Sequence, residues 1–312
     1  MNLASIDIGS NTVLLLITEY DSENHLHTIL NEYRSPRISL GLTYNQNISD
    51  VKIIELLDVL TEYNQIIKKN NCRKILLVGT NALRVAKNSG SILDLVKSKL
   101  GYKIDIIDGK NEAHLSFLGT VYPYLPSTRS KIVIDIGGGS TEIIYGNNFD
   151  IQYMKSFEIG VVSLTEKFLV DTPPSSNKIN KAILYTRAVF NEIVPKIDAN
   201  SLCFAVAGTP TTLSCIKQNL KDYKEGLVDE SSLTNNDIDN ILEQLIKMRP
   251  QQILEKYGPV VKGREDVILA GTIILKIIME LLNCNKINVS TRGLRYGVIV
   301  DYIINELKRP VK

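Results

Sequence analysis

Ser5-Ile6-Asp7-Ile8-Gly9-Ser10-Asn11-Thr12, near the start of the chain, and Val133-Ile134-Asp135-Ile136-Gly137-Gly138-Gly139-Ser140-Thr141, far downstream, are two copies of one pattern. In each, an apolar run ends in Asp-Ile-Gly and passes through small hydroxyl or amide residues. A second apolar run follows, Val13 to Ile17 in one copy and Ile143 to Tyr145 in the other. This reads as strand, tight glycine turn, strand. The two aspartates lie 128 residues apart, a domain-sized offset rather than a solenoid period.

The residue types suit a phosphate. Glycines let backbone N–H groups approach an anion with no Cβ in the way. Gly9, Gly137, Gly138 and Gly139 supply that backbone, and Ser10, Asn11, Ser140 and Thr141 add side-chain donors. Asp7 and Asp135 end their first strands, and a carboxylate facing phosphate needs a cation between them, usually Mg2+. One such hairpin alone is an ordinary glycine turn. Two matched copies with a shared aspartate favour function.

Working outward, each half repeats an order of three strands, helix, strand, helix, strand, helix. In the first half, strands are expected at Leu3–Ile8, Thr12–Thr18, Leu26–Tyr33, Lys74–Gly79 and Ile104–Ile107. Helices are expected from Ser49 to about Lys69, over Ser91–Leu100 and over Asn111–Thr120. Pro123, Pro126 and nearby serines mark a linker. In the second half, strands are expected at Lys131–Ile136, Thr141–Tyr145, Ile151–Phe157, Leu202–Ala207 and Lys286–Val289. A long helix through about Lys196 and a buried helix over Val267–Leu282 lie between them. The expected domains are 1–123 and 124–295, with a C-terminal helix at about 296–312 packing back onto the first. The fold class is α/β, duplicated, and ligands of such sheets bind outside the carboxyl ends of strands. Asp7, Gly79, Ile107, Asp135, Gly208 and Ser290 stand at such ends, and a cleft between the halves is the expected site.

Further residues follow those strand ends. Arg84 in Thr80-Asn81-Ala82-Leu83-Arg84 is placed to grip phosphate oxygens, or is a solvated arginine at a helix start. Glu112 sits in a first helical turn, where it could take a proton from water or simply favour the macrodipole. Glu142 stands on a return strand, where pairing alone gives no reason for a glutamate, and a role through metal or water is the better reading. Gly208 and Thr209, in Ala207-Gly208-Thr209-Pro210, could hold a phosphate at a helix start or serve ordinary N-capping. Arg264 precedes the buried helix.

Composition bounds the rest. The chain has 312 residues, 44% hydrophobic and 22% charged, with net charge +2, so any polyanion must meet a local cluster. Four cysteines show no CxxC pairing, and three histidines (His25, His27 and His114) give no zinc pattern. Free thiols, no signal peptide and no apolar run of about 20 residues imply a cytoplasmic protein with no membrane or nucleic-acid partner. A homodimer is an open alternative to a monomer.

Together these residues resemble the exopolyphosphatase / guanosine pentaphosphate phosphohydrolase family, of the actin, sugar kinase and heat-shock ATPase superfold. The match covers both Asp-Ile-Gly loops, Thr80–Arg84, Gly109–Ala113, Ser156–Glu166, Gly208–Thr212, Arg264–Gly271 and Ser290–Gly297. The resemblance implies two actin-like, ribonuclease H-like domains. It makes Glu112 the catalytic base position and Glu142 a second catalytic carboxylate, and has Asp135 help hold Mg2+. The two glycine loops and Arg84 would cradle the terminal phosphates. The set of expected metal ligands is thus Asp7, Asp135 and Glu142, with Gly208, Thr209 and Arg264 as further phosphate contacts. The chain departs from the family pattern at Asn111 and Tyr296, where glutamates are usual. The activity implied is Mg2+-dependent release of orthophosphate from polyphosphate. The alternative substrate is guanosine pentaphosphate, and a more distant alternative is an actin-like sugar kinase or ATPase.

Overall fold

The computed structural model describes residues 1–42, 46–192 and 201–311. By its internal contacts the chain divides into one unit of Met1–Pro126 with Arg292–Lys312 and another of Ser127–Thr291.

In the first unit, β1 (Asn2–Ile8), β2 (Val13–Tyr20), β3 (Leu26–Arg34), β4 (Lys74–Gly79) and β5 (Ile104–Ile106) form a sheet in the order β3-β2-β1-β4-β5. β1 is antiparallel to β2 and parallel to β4. Flanked on both sides, it is an unbroken buried run after Asn2, as a central strand should be. Helices α1 (Asp50–Lys69), α2 (Asn81–Val85), α3 (Ser89–Leu100) and α4 (Gly109–Val121) complete this part. α1 buries Leu56, Leu57, Leu60, Tyr63 and Ile67, one helical stripe, against the sheet.

In the second unit, β6 (Lys131–Ile136), β7 (Thr141–Asn147) and β8 (Asp150–Phe157) open the sheet, followed by α5 (Val161–Phe168) and α6 (Ser176–Phe190). The expected extension of α6 toward Lys196 lies outside the described residues. Then come β9 (Leu202–Val206), α7 (Gly208–Lys217), α8 (Glu225–Val228), β10 (Ser232–Thr234), α9 (Asn235–Leu245), α10 (Pro250–Tyr257), α11 (Ile268–Leu281) and β11 (Lys286–Val289). The order β8-β7-β6-β9-β11 repeats the third-second-first-fourth-fifth order of the first sheet, with β10 added as an antiparallel edge. This is the actin-like, ribonuclease H-like sheet, present twice. α11 is buried on nearly all sides and forms the centre of the second core.

The last α-helix, α12 (Leu294–Asp301), belongs to the first unit. It crosses α4 at glycines. A Cβ on Gly297 would stand 1.7 Å from the Leu115 carbonyl oxygen, and one on Gly119 would stand 2.1 Å from that of Gly293. Only hydrogen at these positions permits backbone-to-backbone approach. The Ser5 hydroxyl donates to the Arg295 carbonyl (2.8 Å), fixing α12 over β1. Among the described residues, no helix is long and apolar enough to cross a membrane.

Candidate active site

In the first unit, Asp7 stands one residue before the end of β1, whose last residue Ile8 is in register with Gly79 at the end of the parallel β4. The turn after Asp7 closes with Gly9 N–H donating to the Thr12 carbonyl (3.0 Å). The segment after β3 lies along this turn. Arg37 and Ser39 donate their N–H groups to the carbonyls of Asn11 and Ser10, each at 3.1 Å. The Ser10 hydroxyl is buried with no hydrogen-bond partner among the described residues, and so is that of Ser39. A buried hydroxyl in that state favours a further polar contact, and an oxyanion would supply one.

Glu112 occupies the first turn of α4, which Asp108 caps by accepting from the Asn111 N–H (2.8 Å). Its carboxylate is buried and takes a hydrogen bond from Arg84 Nη1 at 3.0 Å. The same nitrogen donates to the Ile107 carbonyl (2.8 Å), and Nη2 reaches Asn81 Oδ1 (3.4 Å). Arg84 is therefore tied to the protein through the proposed base as well as to its own loop. A partly buried charge-assisted bond of this kind fixes the carboxylate's direction.

In the second unit, Asp135 and Glu142 are directly opposite one another in the β6–β7 ladder. Both are buried. Glu142 accepts a hydrogen bond from Ser156 Oγ at 2.6 Å, Ser156 being its partner on β8. The first unit is different: Asp7 there faces Leu14. The carboxylate pair is thus a feature of one copy only.

The glycine loop of this unit is seated on α5. Gly137 N–H donates to the Ser140 carbonyl (2.9 Å), while the carbonyls of Gly137 and Gly138 accept from Val161 (3.0 Å) and Val162 (2.8 Å). Those bonds satisfy orphan donors at the start of α5. With those carbonyls and the Gly137 amide engaged, the Gly139 amide is one the loop could offer to an anion. Thr141 donates its hydroxyl to the Ile159 carbonyl (2.6 Å), so that side chain supports the loop.

Arg264 lies over the Gly208 turn. Its Nη1 donates to Thr212 Oγ1 (3.2 Å) and to the Gly208 carbonyl (3.4 Å). A Cβ on Gly208 would meet the guanidinium carbon at 2.6 Å. Gly208 thus makes room for Arg264. Ala207, not Thr209, is the cap of α7, with φ at +73°, and Thr209 is buried against Gly271. The capping alternative for Thr209 is therefore replaced by packing.

Sequence reasoning missed Ser156, Asp108 and the Arg37–Ser39 segment. Asp108 was findable, since Asp three residues before Asn111 at a helix start is a cap signal. Ser156 and Ser39 act through register and loop packing, which local sequence does not encode.

A duplicated actin-like fold with glycine loops and acidic residues at strand ends is that of a phosphate-handling protein. The profile of the Ppx/GppA phosphatase family matches residues 16–306. The chain belongs to that family, whose members hydrolyse phosphoanhydrides. It is 32% identical over 314 residues to the bifunctional 3-dehydroquinate synthase/phosphatase of Fusobacterium nucleatum, covering 97% of this chain but about half of that protein (47%). It is 28% identical to exopolyphosphatase 2 of Mycobacterium tuberculosis, covering 96% of this chain and 98% of the relative. It is 31% identical to the guanosine-5'-triphosphate,3'-diphosphate pyrophosphatase of Pseudoalteromonas translucida, over 96% of this chain and 59% of the relative. The crystal structure of the Aquifex aeolicus family member superposes with a TM-score of 0.83 at 28% identity, over 98% of each chain.

Proposed function

We propose that the chain is an exopolyphosphatase, a Mg2+-dependent hydrolase that cleaves the terminal phosphoanhydride of inorganic polyphosphate and releases orthophosphate. The observation that carries this reading is the buried Asp135–Glu142 pair in direct register beside the glycine loop. Like charges directly opposite destabilise a sheet. A divalent cation relieves that repulsion, and an all-carboxylate donor set suits Mg2+. Asp135 and Glu142 would hold the ion, and Asp7 stands at the matching position of its own copy. When bound, Mg2+ neutralises phosphate charge and polarises the phosphoryl group.

The chain's own residues do the rest. Amides of the two glycine loops, with Ser10, Asn11 and Ser140, bind phosphate oxygens. Among the described residues Arg84 engages three of its five guanidinium donors, and the other two suit a phosphate oxygen. Glu112, held in direction by Arg84, orients a water in line with the scissile bond and takes its proton. Arg264, seated over the Gly208 turn, binds a phosphate further along the substrate.

Guanosine pentaphosphate ends in the same bond, and the 31% identical pyrophosphatase favours it as the second reading. Orthophosphate release with Mg2+, measured on short polyphosphate, long polyphosphate and guanosine pentaphosphate at matched end-group concentration, decides between them. Preference for polyphosphate is expected. Preference for the nucleotide moves the assignment, and inactivity on all three overturns both readings.

A further inference from the structure

The hairpin joining β2 to β3 carries side chains that the proposed hydrolysis does not use. Asp21 N–H donates to the His25 carbonyl (3.1 Å) and closes the turn. Asp21 Oδ1 accepts from the amides of Glu23 (2.8 Å) and His25 (2.9 Å), which locks the carboxylate. Its other oxygen, Oδ2, then stands 2.8 Å from His27 Nε2 and 3.6 Å from His25 Nδ1. His25 and His27 are two residues apart at the start of an extended segment, so both project from one face. One ligand atom from each of the three residues lies within 4.8 Å of the other two. Glu23 Oε2 is 3.9 Å from His25 Nδ1, within reach of the same point.

We propose that Asp21, His25 and His27 form a binding site for a borderline divalent transition ion such as Zn2+, separate from the Mg2+ carboxylates. Two imidazole nitrogens and one carboxylate oxygen are a donor set that Zn2+, Ni2+ and Cu2+ prefer and Mg2+ does not. At neutral pH the Asp21 carboxylate is the anionic ligand. Water completes the coordination, as an exposed site allows. The site has the form Asp-x-x-x-His-x-His, and only the return of the hairpin brings Asp21 to the histidines.

The test is calorimetric titration of the full chain with Zn2+ in saturating Mg2+, which occupies oxygen-only sites. One equivalent is expected to bind. The His25→Asn, His27→Asn double variant is expected to bind on the order of tenfold more weakly or worse, with an unchanged melting temperature. A second readout uses the three imidazoles of the chain. Added Co2+ is expected to shift the NMR signals of His25 and His27 and leave His114 in place. Zn2+ binding undiminished in the double variant, no saturable binding by the unmodified chain, or a Co2+ shift centred on His114 would overturn the proposal. None of these readouts depends on which phosphoanhydride the enzyme cleaves.

Discussion

At the scale of single residues, the proposed chemistry rests on how each carboxylate is held. Glu112 takes its direction from Arg84, and Glu142 from Ser156. Glu112→Gln keeps the shape and removes the basic oxygen. Turnover should fall on the order of 10²–10⁴-fold, with KM and melting temperature little changed; steady-state kinetics and a thermal melt check this. Retention of most activity would remove Glu112 from the role of base. Ser156→Ala is a subtler case, because Ser156 acts only through Glu142. It should raise the Mg2+ concentration for half-maximal activity on the order of tenfold while leaving kcat at saturating Mg2+ nearly intact. A uniform loss of kcat with no change in Mg2+ dependence would contradict a positioning role. The sequence offered Glu112 as a base or as an ordinary macrodipole residue, and Glu142 as a glutamate that strand pairing does not call for. Their partners were not legible, since Arg84 and Glu112 are 28 positions apart and meet only after β4 and β5 pair.

At the scale of elements, close approach of backbones sets the loops. A Cβ on Gly160 would meet the Gly138 carbonyl carbon at 2.4 Å and its oxygen at 2.5 Å. Because the obstacle is backbone, Gly160→Ala must push the glycine loop away from α5. A loss of about 1–3 kcal/mol in unfolding free energy is expected, together with weaker substrate binding; denaturant unfolding and KM are the readouts. A stable variant with unchanged KM would show that the loop tolerates displacement. Gly297→Ala should be worse for the first unit, since its Cβ would overlap the Leu115 carbonyl in the helix that carries Glu112. At the start of α9, Asp237 and Thr234 form a reciprocal capping box, and Lys217 pairs with Asp237 at 2.9 Å. Burial acts to raise the Asp237 carboxyl, but Lys217 and then Thr234 outweigh it, and the group titrates below its usual 3.8. A depressed carboxyl contributes stability above its unfolded value, and that contribution is lost as pH falls through the folded value. Asp237→Ala should cost about 0.5–2 kcal/mol at neutral pH, with the gap to the parent narrowing below pH 3.8 in acid denaturation. A gap that widens on acidification would refute this sign.

At the scale of the whole molecule, the prediction is dependence on a divalent cation. Removal of Mg2+ with EDTA should abolish orthophosphate release and raise no new activity, and added Mg2+ should restore it. If the Asp135–Glu142 pair binds the ion, Mg2+ should also raise the melting temperature of the parent and fail to do so for Glu142→Gln. The amino-acid sequence determined the duplication, the two sheets and the family, because apolar runs, glycine turns and their order are local signals written twice. It also placed the strand ends beside which Asp7, Asp135 and Gly208 stand. Tertiary structure decided what faces what. Register put Asp135 against Glu142 but Asp7 against Leu14, so that two matching loops acquired different neighbours. Packing brought α12 onto α4 through paired glycines and laid Arg37 and Ser39 along the first turn. Cross-strand pairing and helix contact are long-range events, selected by burial and hydrogen bonding over the whole unit, and no local stretch of sequence contains them.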